Sequence, residues 1–266
     1  ITVHAGGSLF GGGDIKRAVQ TGQAPIGERL LSAHANENAL FGIDSVPFLA
    51  TSFEDSDKLW NVYKSKLAEI MEEQNLVLLY SVPWPPQGLY FKKPVEGTAD
   101  TQGVKFRSYN AATARLAELM GMLPVQVEAA ELTQALSTGV AEAFVSSGST
   151  GYDRKVWEQL THFYDTQAWL PRNYVFANKN AFDGVDASIQ NCLKSSSILA
   201  QAAGTARAHQ LADWYVSQLA ANGMTVSAPG EQLKADLDTI GATMAAEWAE
   251  AAGADGAALV EAFKAE

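Results

Sequence analysis

The sequence predicts a two-lobed α/β protein, and three observations support this fold class. Residues 100–148 alternate short apolar segments with helical patterns in the order β-α-β-α-β, which is typical of a parallel sheet. Residues 76–82 form a near-continuous apolar run, as expected of a strand that is buried on both faces. A proline-rich break at residues 83–88 marks a crossing between lobes, and 266 residues that are 47% hydrophobic suffice for two modest cores.

The first 73 residues are predicted to contain two strands and two helices. Residues 1–4 are predicted as a strand, and residues 14–21 as a short helix that follows a glycine-rich stretch. Another strand is predicted over residues 25–31. A long helix over residues 53–73 begins after Ser52, in a pattern that resembles a capping box. Its apolar residues recur at helical spacing and are predicted to lie in the core: Leu59, Trp60, Tyr63, Leu67 and Ile70.

Residues 100–148 place polar side chains at the ends of predicted strands. The first strand ends at Arg107, Asn110 can cap the helix that follows, and the third strand ends in the polar residues 146–149. Because ligands of parallel sheets bind at the carboxyl ends of the strands, these side chains are candidates for a binding site. The predicted elements are, in order, strand 104–106, helix 111–120, strand 125–127, helix 129–138 and strand 143–145.

Arg107 is the strongest single candidate for ligand binding. Its planar, permanently charged fork at a strand end, beside the start of a helix, suits a carboxylate. Two parallel bonds to a desolvated carboxylate contribute about 1.5–3 kcal/mol each. The alternative is that Arg107 pairs with a structural Asp or Glu at the surface, and spacing alone does not separate these two interpretations.

The last third of the chain is predicted to be mainly helical. A helix over residues 152–163 and a strand over residues 174–178 precede a long helical pattern over residues 187–222. Two alanine-rich surface helices over residues 231–252 and 256–265 complete the chain.

Composition excludes several classes of function. The net charge of −11 and the pI near 4.8 argue against nucleic-acid binding, which needs a basic patch that displaces counterions. The longest apolar runs are far shorter than a membrane span, so we predict no direct insertion into a membrane. The single cysteine, Cys192, allows no intrachain disulfide and no cysteine metal cluster, and we predict no cofactor.

An enzyme remains the main alternative to a binding protein. A small α/β hydrolase would use Ser8 or Ser149 as nucleophile with His34 as base, although the sequence lacks the G-x-S-x-G elbow of such enzymes. The glycine-rich stretch before residue 14 matches neither dinucleotide-binding nor Walker A spacing, so phosphate binding is not predicted.

Two runs of the sequence resemble the substrate-binding proteins of TRAP transporters, the DctP-like family. They are GVKFRSYNAATARLAELMG and PVQVEAAELTQALSTGVAEA. The resemblance implies a type II periplasmic-binding-protein-like fold in which each lobe is a mostly parallel sheet flanked by helices. It also implies a periplasmic location, a small organic acid as ligand, and TRAP membrane permease subunits as partners. A βα unit of roughly 30 residues is expected to precede residue 1.

The resemblance also predicts how the chain is divided between the lobes. Lobe I is expected to comprise residues 1–84 and about 198–237. Lobe II is expected to comprise residues 85–197 and about 238–266, and to carry the Arg107 site. The long helix over residues 187–222 is expected to cross between the lobes.

Further candidates lie around a carboxylate held by Arg107, some by their positions at strand ends and the others by what the resemblance implies. They follow strands, lie at the proline-rich crossing, or lie at the junction before the strand at 174–178. The candidates are Trp84, Tyr90, Trp169, Asn173, Ser32, His34, Ser146, Ser147 and Ser149.

The predicted ligand is a small monocarboxylate. Many family members carry a second basic residue about twenty positions before the arginine, but here residues 85–88 read Pro-Pro-Gln-Gly, which disfavours a dicarboxylate. Aromatic walls from Trp84, Tyr90 and Trp169 favour a benzoate-like acid over a hydroxy acid or a sugar acid. A receptor for another transporter class, or a sensor, remains an alternative to a TRAP receptor.

Overall fold

Two β-sheets organise the chain in the computed structural model, which describes residues 1–266. In chain order the strands are β1 (Ile26–Leu30), β2 (Leu76–Pro83), β3 (Gln87–Phe91), β4 (Lys105–Ser108), β5 (Leu123–Gln126), β6 (Ala143–Ser147), β7 (His162–Tyr164), β8 (Arg172–Asn178) and β9 (Thr225–Ser227). The small sheet has the order β1-β8-β2, and the large sheet has the order β5-β4-β6-β3-β7-β9. Each sheet forms the centre of one lobe, so the predicted two-lobed α/β fold is confirmed.

Eight α-helices surround and join the two sheets. They are α1 (Ile15–Gln20), α2 (Phe53–Glu73), α3 (Ala111–Leu119), α4 (Leu132–Ser137), α5 (Gly148–Asp153), α6 (Lys179–Asp183), α7 (Ala187–Ala221) and α8 (Glu231–Ala265). None of them combines the length and the apolar character that a membrane crossing requires.

The predicted parallel unit forms the part of the large sheet that carries Arg107. β4 runs parallel to β5 on one side and to β6 on the other. Asn110 caps α3 through a capping box, in which its side chain accepts from the backbone N–H of Thr113 and the Thr113 side chain bonds back to the cap. Arg107 and Ser146 therefore lie near the carboxyl ends of adjacent strands, as predicted.

The small sheet differs from the mostly parallel sheet predicted for each lobe. β8 lies between β1 and β2 and runs antiparallel to both. The reason is the connection between lobes: β2 leaves the small sheet towards the large one, and β8 returns at the same place, where Pro83 pairs with Arg172. A strand that returns beside the departing strand must run the opposite way. β8 consequently belongs to the small sheet, although it lies within the range 85–197 that was predicted for lobe II.

Both long helices contact both lobes, whereas only α7 was predicted to cross. Gly204 in the middle of α7 lies against Val82 of β2, and Leu219 near the C-terminal end of the helix packs in the core of the large lobe. α8 crosses in the reverse order, because Leu237 packs with the large lobe and Phe263 with the small one. Gly204 contacts the small lobe, as predicted for residues 198–237, whereas Leu219 and Leu237 contact the large lobe and Phe263 contacts the small one. The predicted break between two C-terminal helices occurs at Gly253, where φ is 58°.

Two predicted elements are wrong in part. Residues 152–163 do not form one helix: α5 ends at Asp153, a single 3-10 turn follows at Val156–Glu158, and the strand β7 begins at His162. Val156 and Leu160 of this irregular segment pack in the core of the large lobe. Residues 1–4 form no strand and are exposed, because no neighbouring strand pairs with them.

Candidate ligand-binding site

A cavity of about 260 Å³ lies between the two lobes. The small lobe contributes Glu28 and Arg29 of β1 and Asn173 of β8, while the large lobe contributes Arg107 of β4 and Ser146 of β6. The strand ends of both sheets therefore meet at this cavity, as the position of a ligand site in α/β proteins predicts.

Arg107 is buried in the wall of the cavity without a carboxylate partner. Only 3% of the residue is exposed, and its Nε donates to the carbonyl oxygen of Val127 at 2.9 Å. Its guanidinium lies over the ring of Tyr109, 5.2 Å from the centroid. The two terminal nitrogens make no hydrogen bond to the protein, so both are available to a ligand. Burial lowers the pKa of Arg107 to about 10, which still leaves it charged at neutral pH.

Trp84 and Asn173 line the cavity and hold each other in place. The Trp84 indole Nε1 donates to Asn173 Oδ1 at 2.7 Å, and Asn173 Nδ2 donates to the carboxylate of Glu28. The backbone N–H of Trp84 donates to the carbonyl oxygen of Pro171 at 2.8 Å, which fixes the proline-rich crossing against the start of β8. Gln87 also lines the cavity, with Nε2 bonded to the carbonyl oxygen of Pro85 at 3.1 Å.

The other two predicted aromatic walls lie outside the cavity. Tyr90 is fully buried in the large lobe, where its ring stacks on Phe144 at 4.3 Å and its hydroxyl donates to the carbonyl oxygen of Ser147. Trp169 is 1% exposed and donates from its indole N–H to the hydroxyl of Tyr109 at 3.0 Å. Trp169 thus supports Tyr109, which does line the cavity and which the sequence analysis did not identify.

The predicted serine and histidine candidates divide into two groups. Ser146 lines the cavity, whereas Ser147 and Ser149 bond to each other at 2.8 Å at the start of α5. Ser32 does not line the cavity; its hydroxyl accepts from Asn110 Nδ2 at 2.9 Å and so joins the two lobes.

His34 lies apart from the cavity and from both serines considered as nucleophiles. Its Nδ1 bonds to the carboxylate of Glu37 at 3.0 Å, and that carboxylate also bonds to the buried Lys16 at 2.5 Å. Burial lowers the pKa of His34, although the neighbouring Glu37 opposes this shift. No hydrogen bond joins His34 to Ser8 or Ser149, so the residues of the hydrolase alternative are not brought together.

Sequence reasoning missed four charged residues of the cavity, of which Glu28 is described above. Arg29 and Glu128, from different lobes, form two parallel hydrogen bonds of 3.0 Å across it. Arg154, half-buried at the end of α5, is a third arginine of the lining. Residues 85–88 lack the second basic residue of many family members, but Arg107 is nevertheless not the single cation of the site. No local pattern marks these residues, because the pairing depends on the approach of the two lobes.

A buried polar cluster supports the site at the crossing between the sheets. Arg172 is 1% exposed and lies between Pro171 and Asn173, which both line the cavity. The contacts of its side chain are Asp57 (Nη2 to Oδ1, 2.5 Å), Ser81 (Nη1 to Oγ, 3.1 Å), Ser56 (Nε to Oγ, 3.3 Å) and the ring of Trp60 (5.5 Å to the centroid). The cluster fixes the start of β8 and hence the position of Asn173.

Asp44 in the same cluster predicts a pH dependence of stability. Burial raises the pKa of its carboxyl from 3.8 to about 7, although the backbone N–H of Arg172 and the hydroxyl of Tyr174 donate to it. Between about pH 4 and pH 7 the folded state therefore binds more protons at Asp44 than the unfolded state, so this group lowers stability as pH rises through that range. Asp44→Asn, which does not titrate, should remove this decline. Urea unfolding of both proteins at pH 5, 6 and 7 measures it; parallel profiles would contradict the assignment.

Comparison with known proteins gives one family. The model of the DctP family, described as bacterial extracellular solute-binding protein, family 7, matches residues 1–251. The chain is 24% identical over 221 residues to the ectoine/5-hydroxyectoine-binding periplasmic protein UehA of Ruegeria pomeroyi, a match that covers 82% of this chain. The chain spans 64% of the length of that relative.

Two solved structures have nearly the same fold. The first is a marine metagenome TRAP solute-binding protein specific for pyroglutamate, in complex with copurified pyroglutamate. It is 60% identical, with a TM-score of 0.99, and the match covers 100% of this chain and 88% of that one. The second is DctP6, a Bordetella pertussis extracytoplasmic solute receptor binding pyroglutamic acid. It is 44% identical, with a TM-score of 0.97 and the same coverage.

Proposed function

Because the chain belongs to the DctP family of bacterial extracellular solute-binding proteins, we propose that it is the pyroglutamate receptor of a TRAP-type uptake system. It would bind the ligand between its lobes and deliver it to the TRAP membrane permease subunits. The observation that carries this proposal is the buried, unpaired fork of Arg107 in a cavity lined by both lobes, in a chain 60% identical to a receptor specific for pyroglutamate.

The chemistry of the cavity supports a ligand with one carboxylate and one neutral polar group. Pyroglutamate has a single carboxylate, which suits the two free nitrogens of Arg107. Its lactam presents an N–H and a carbonyl oxygen, and the amides of Gln87 and Asn173 offer both donors and acceptors on the lining.

A benzoate-like ligand has less support from the structure than the sequence implied. That expectation depended on three aromatic walls, and Tyr90 and Trp169 are buried outside the cavity. Trp84 and Tyr109 remain as apolar surfaces, which suit the small saturated ring of pyroglutamate.

Titration calorimetry with a panel of acids tests the proposed ligand. The panel comprises pyroglutamate, benzoate, lactate, succinate and glucuronate. We expect pyroglutamate to bind most tightly and to be recovered unchanged after incubation, as a receptor requires. A hundredfold excess over Kd should stabilise the fold by about 2.7 kcal/mol in thermal unfolding. Tighter binding of another acid, or no binding of pyroglutamate, would overturn the proposal.

A further inference from the structure

The Arg29–Glu128 pair joins the two lobes at the cavity itself. Arg29 lies in β1 of the small sheet, and Glu128 follows β5 at the edge of the large sheet. Both residues line the cavity, and the carboxylate bonds both terminal nitrogens of the guanidinium at 3.0 Å. The side chain of Arg29 is 13% exposed and that of Glu128 is 36% exposed, so the pair is partly screened from water.

The glycine-rich stretch near the start of the chain fits closely over this pair. A methyl group at Gly12 would lie 2.4 Å from Glu128 Oε2 and 2.6 Å from Arg29 Nη1, so only glycine leaves room for the pair as it stands. At Gly13 the same group would meet Glu128 Oε1 at an ordinary 3.8 Å. The close approach accounts for the glycine at position 12 in particular.

Glu128 determines whether Arg29 is available to a ligand, whereas Arg107 and Arg154, the other two arginines of the lining, form no ion pair with the protein. Three arginines and two glutamates line the cavity, so its lining carries one net positive charge. Arg107 keeps both terminal nitrogens free, whereas Glu128 occupies those of Arg29 and leaves only a buried Nε without a partner. With one N–H of each terminal nitrogen bound to Glu128 and its Nε buried, Arg29 has lost its end-on fork and is a poorer partner for the parallel pair of bonds that a second carboxylate would form.

We propose that Glu128 is a specificity-determining residue: by neutralising Arg29, it makes the cavity select a monocarboxylate over a dicarboxylate of the same length. This inference rests on the proposed function and adds the reason why a neutral lactam, and not a second acid group, is accepted. Selection then acts against the wrong ligand, because a second carboxylate directed at Arg29 meets the negative charge of Glu128 there.

Glu128→Gln tests the proposal, because it removes the negative charge while keeping the size of the side chain. The readout is the ratio of the calorimetric Kd of glutarate, the dicarboxylate with the same number of carbons, to that of pyroglutamate. We expect Glu128→Gln to lower this ratio by about tenfold or more, as one additional charged hydrogen-bonded contact implies. The double variant Arg29→Gln/Glu128→Gln removes both charges and should return the ratio towards that of the wild type.

Glu131→Gln is the matched control, since this exposed glutamate lies outside the cavity and its replacement changes the net charge of the chain equally. Its ratio should equal that of the wild type. Any of three results would overturn the proposal. The Kd ratio could be unchanged in Glu128→Gln, it could change equally in Glu131→Gln, or it could stay as low in the double variant as in Glu128→Gln.

A wild type that does not bind pyroglutamate overturns the proposed function instead. The effect of Glu128→Gln on two other ratios of calorimetric Kd values, malate to lactate and phthalate to benzoate, then decides the role of Glu128. The proposed role of Glu128 is overturned if the wild type binds neither lactate nor benzoate, or if it binds the diacid more tightly in both pairs.

Discussion

Arg107→Ala should weaken the binding of pyroglutamate by about 2–5 kcal/mol, a rise in Kd of more than about twentyfold. The wild-type guanidinium is already desolvated and is held by Val127 and Tyr109, so its orientation needs little ordering when the ligand arrives. In the variant the ligand carboxylate would be buried without a cation. Arg107→Lys should restore part of the affinity, because a lysine supplies the charge without the planar fork.

Calorimetric titration of the three proteins checks this prediction, with Arg115→Ala as a matched control. Arg115 is an exposed arginine on α3 that pairs with Glu247 and Glu118 and does not line the cavity. Its removal should leave the affinity unchanged. Wild-type affinity in Arg107→Ala would exclude Arg107 as the carboxylate anchor.

Arg172→Ala should lower the free energy of unfolding by about 2–4 kcal/mol, the largest loss of stability that we expect from a single substitution here. The change removes a fully buried charge from Asp57, leaves the hydroxyls of Ser56 and Ser81 without their donor, and opens a void beside Trp60. The cost arises because the hydroxyls of Ser56 and Ser81 stay buried without their donor and a void opens, whereas the partly exposed Asp57 can be hydrated.

Urea unfolding followed by circular dichroism measures the effect of Arg172→Ala. Arg115→Ala serves again as the control, because a surface ion pair contributes little and its midpoint should hardly change. An unfolding midpoint for Arg172→Ala equal to that of the wild type would show that the cluster at the crossing does not stabilise the fold.

The sequence predicted the parts of the fold that depend on local patterns. The alternation of strands and helices around Arg107 is local, and so is the Asn110 cap, because both follow from residues close together in the chain. The same reasoning placed Arg107 at a strand end, and the family resemblance placed Trp84 and Asn173 near it. All three line the cavity, and their roles in binding remain predictions.

The rest depends on contacts that no local pattern encodes. Tyr90 and Trp169 occupy positions near strand ends, where a large aromatic side chain can line a cavity or pack in the core. Both side chains pack in the core. Arg29 and Glu128 are separated by 99 residues and meet only because the lobes approach each other. The antiparallel direction of β8 likewise follows from the path of the chain between the sheets and not from its own residues.

The position of β8 also determines the order in which the two lobes can fold. The strands β3 to β7 of the large sheet come from one continuous stretch, residues 87–164, whereas the small sheet needs strands from both sides of that stretch. Closing a chain segment of that size carries an entropic cost that local pairing does not, so we expect the large lobe to form first. Since Asn173 and Arg29 line the cavity together with Arg107, we expect the cavity to be complete, and ligand affinity to arise, only after both lobes have formed.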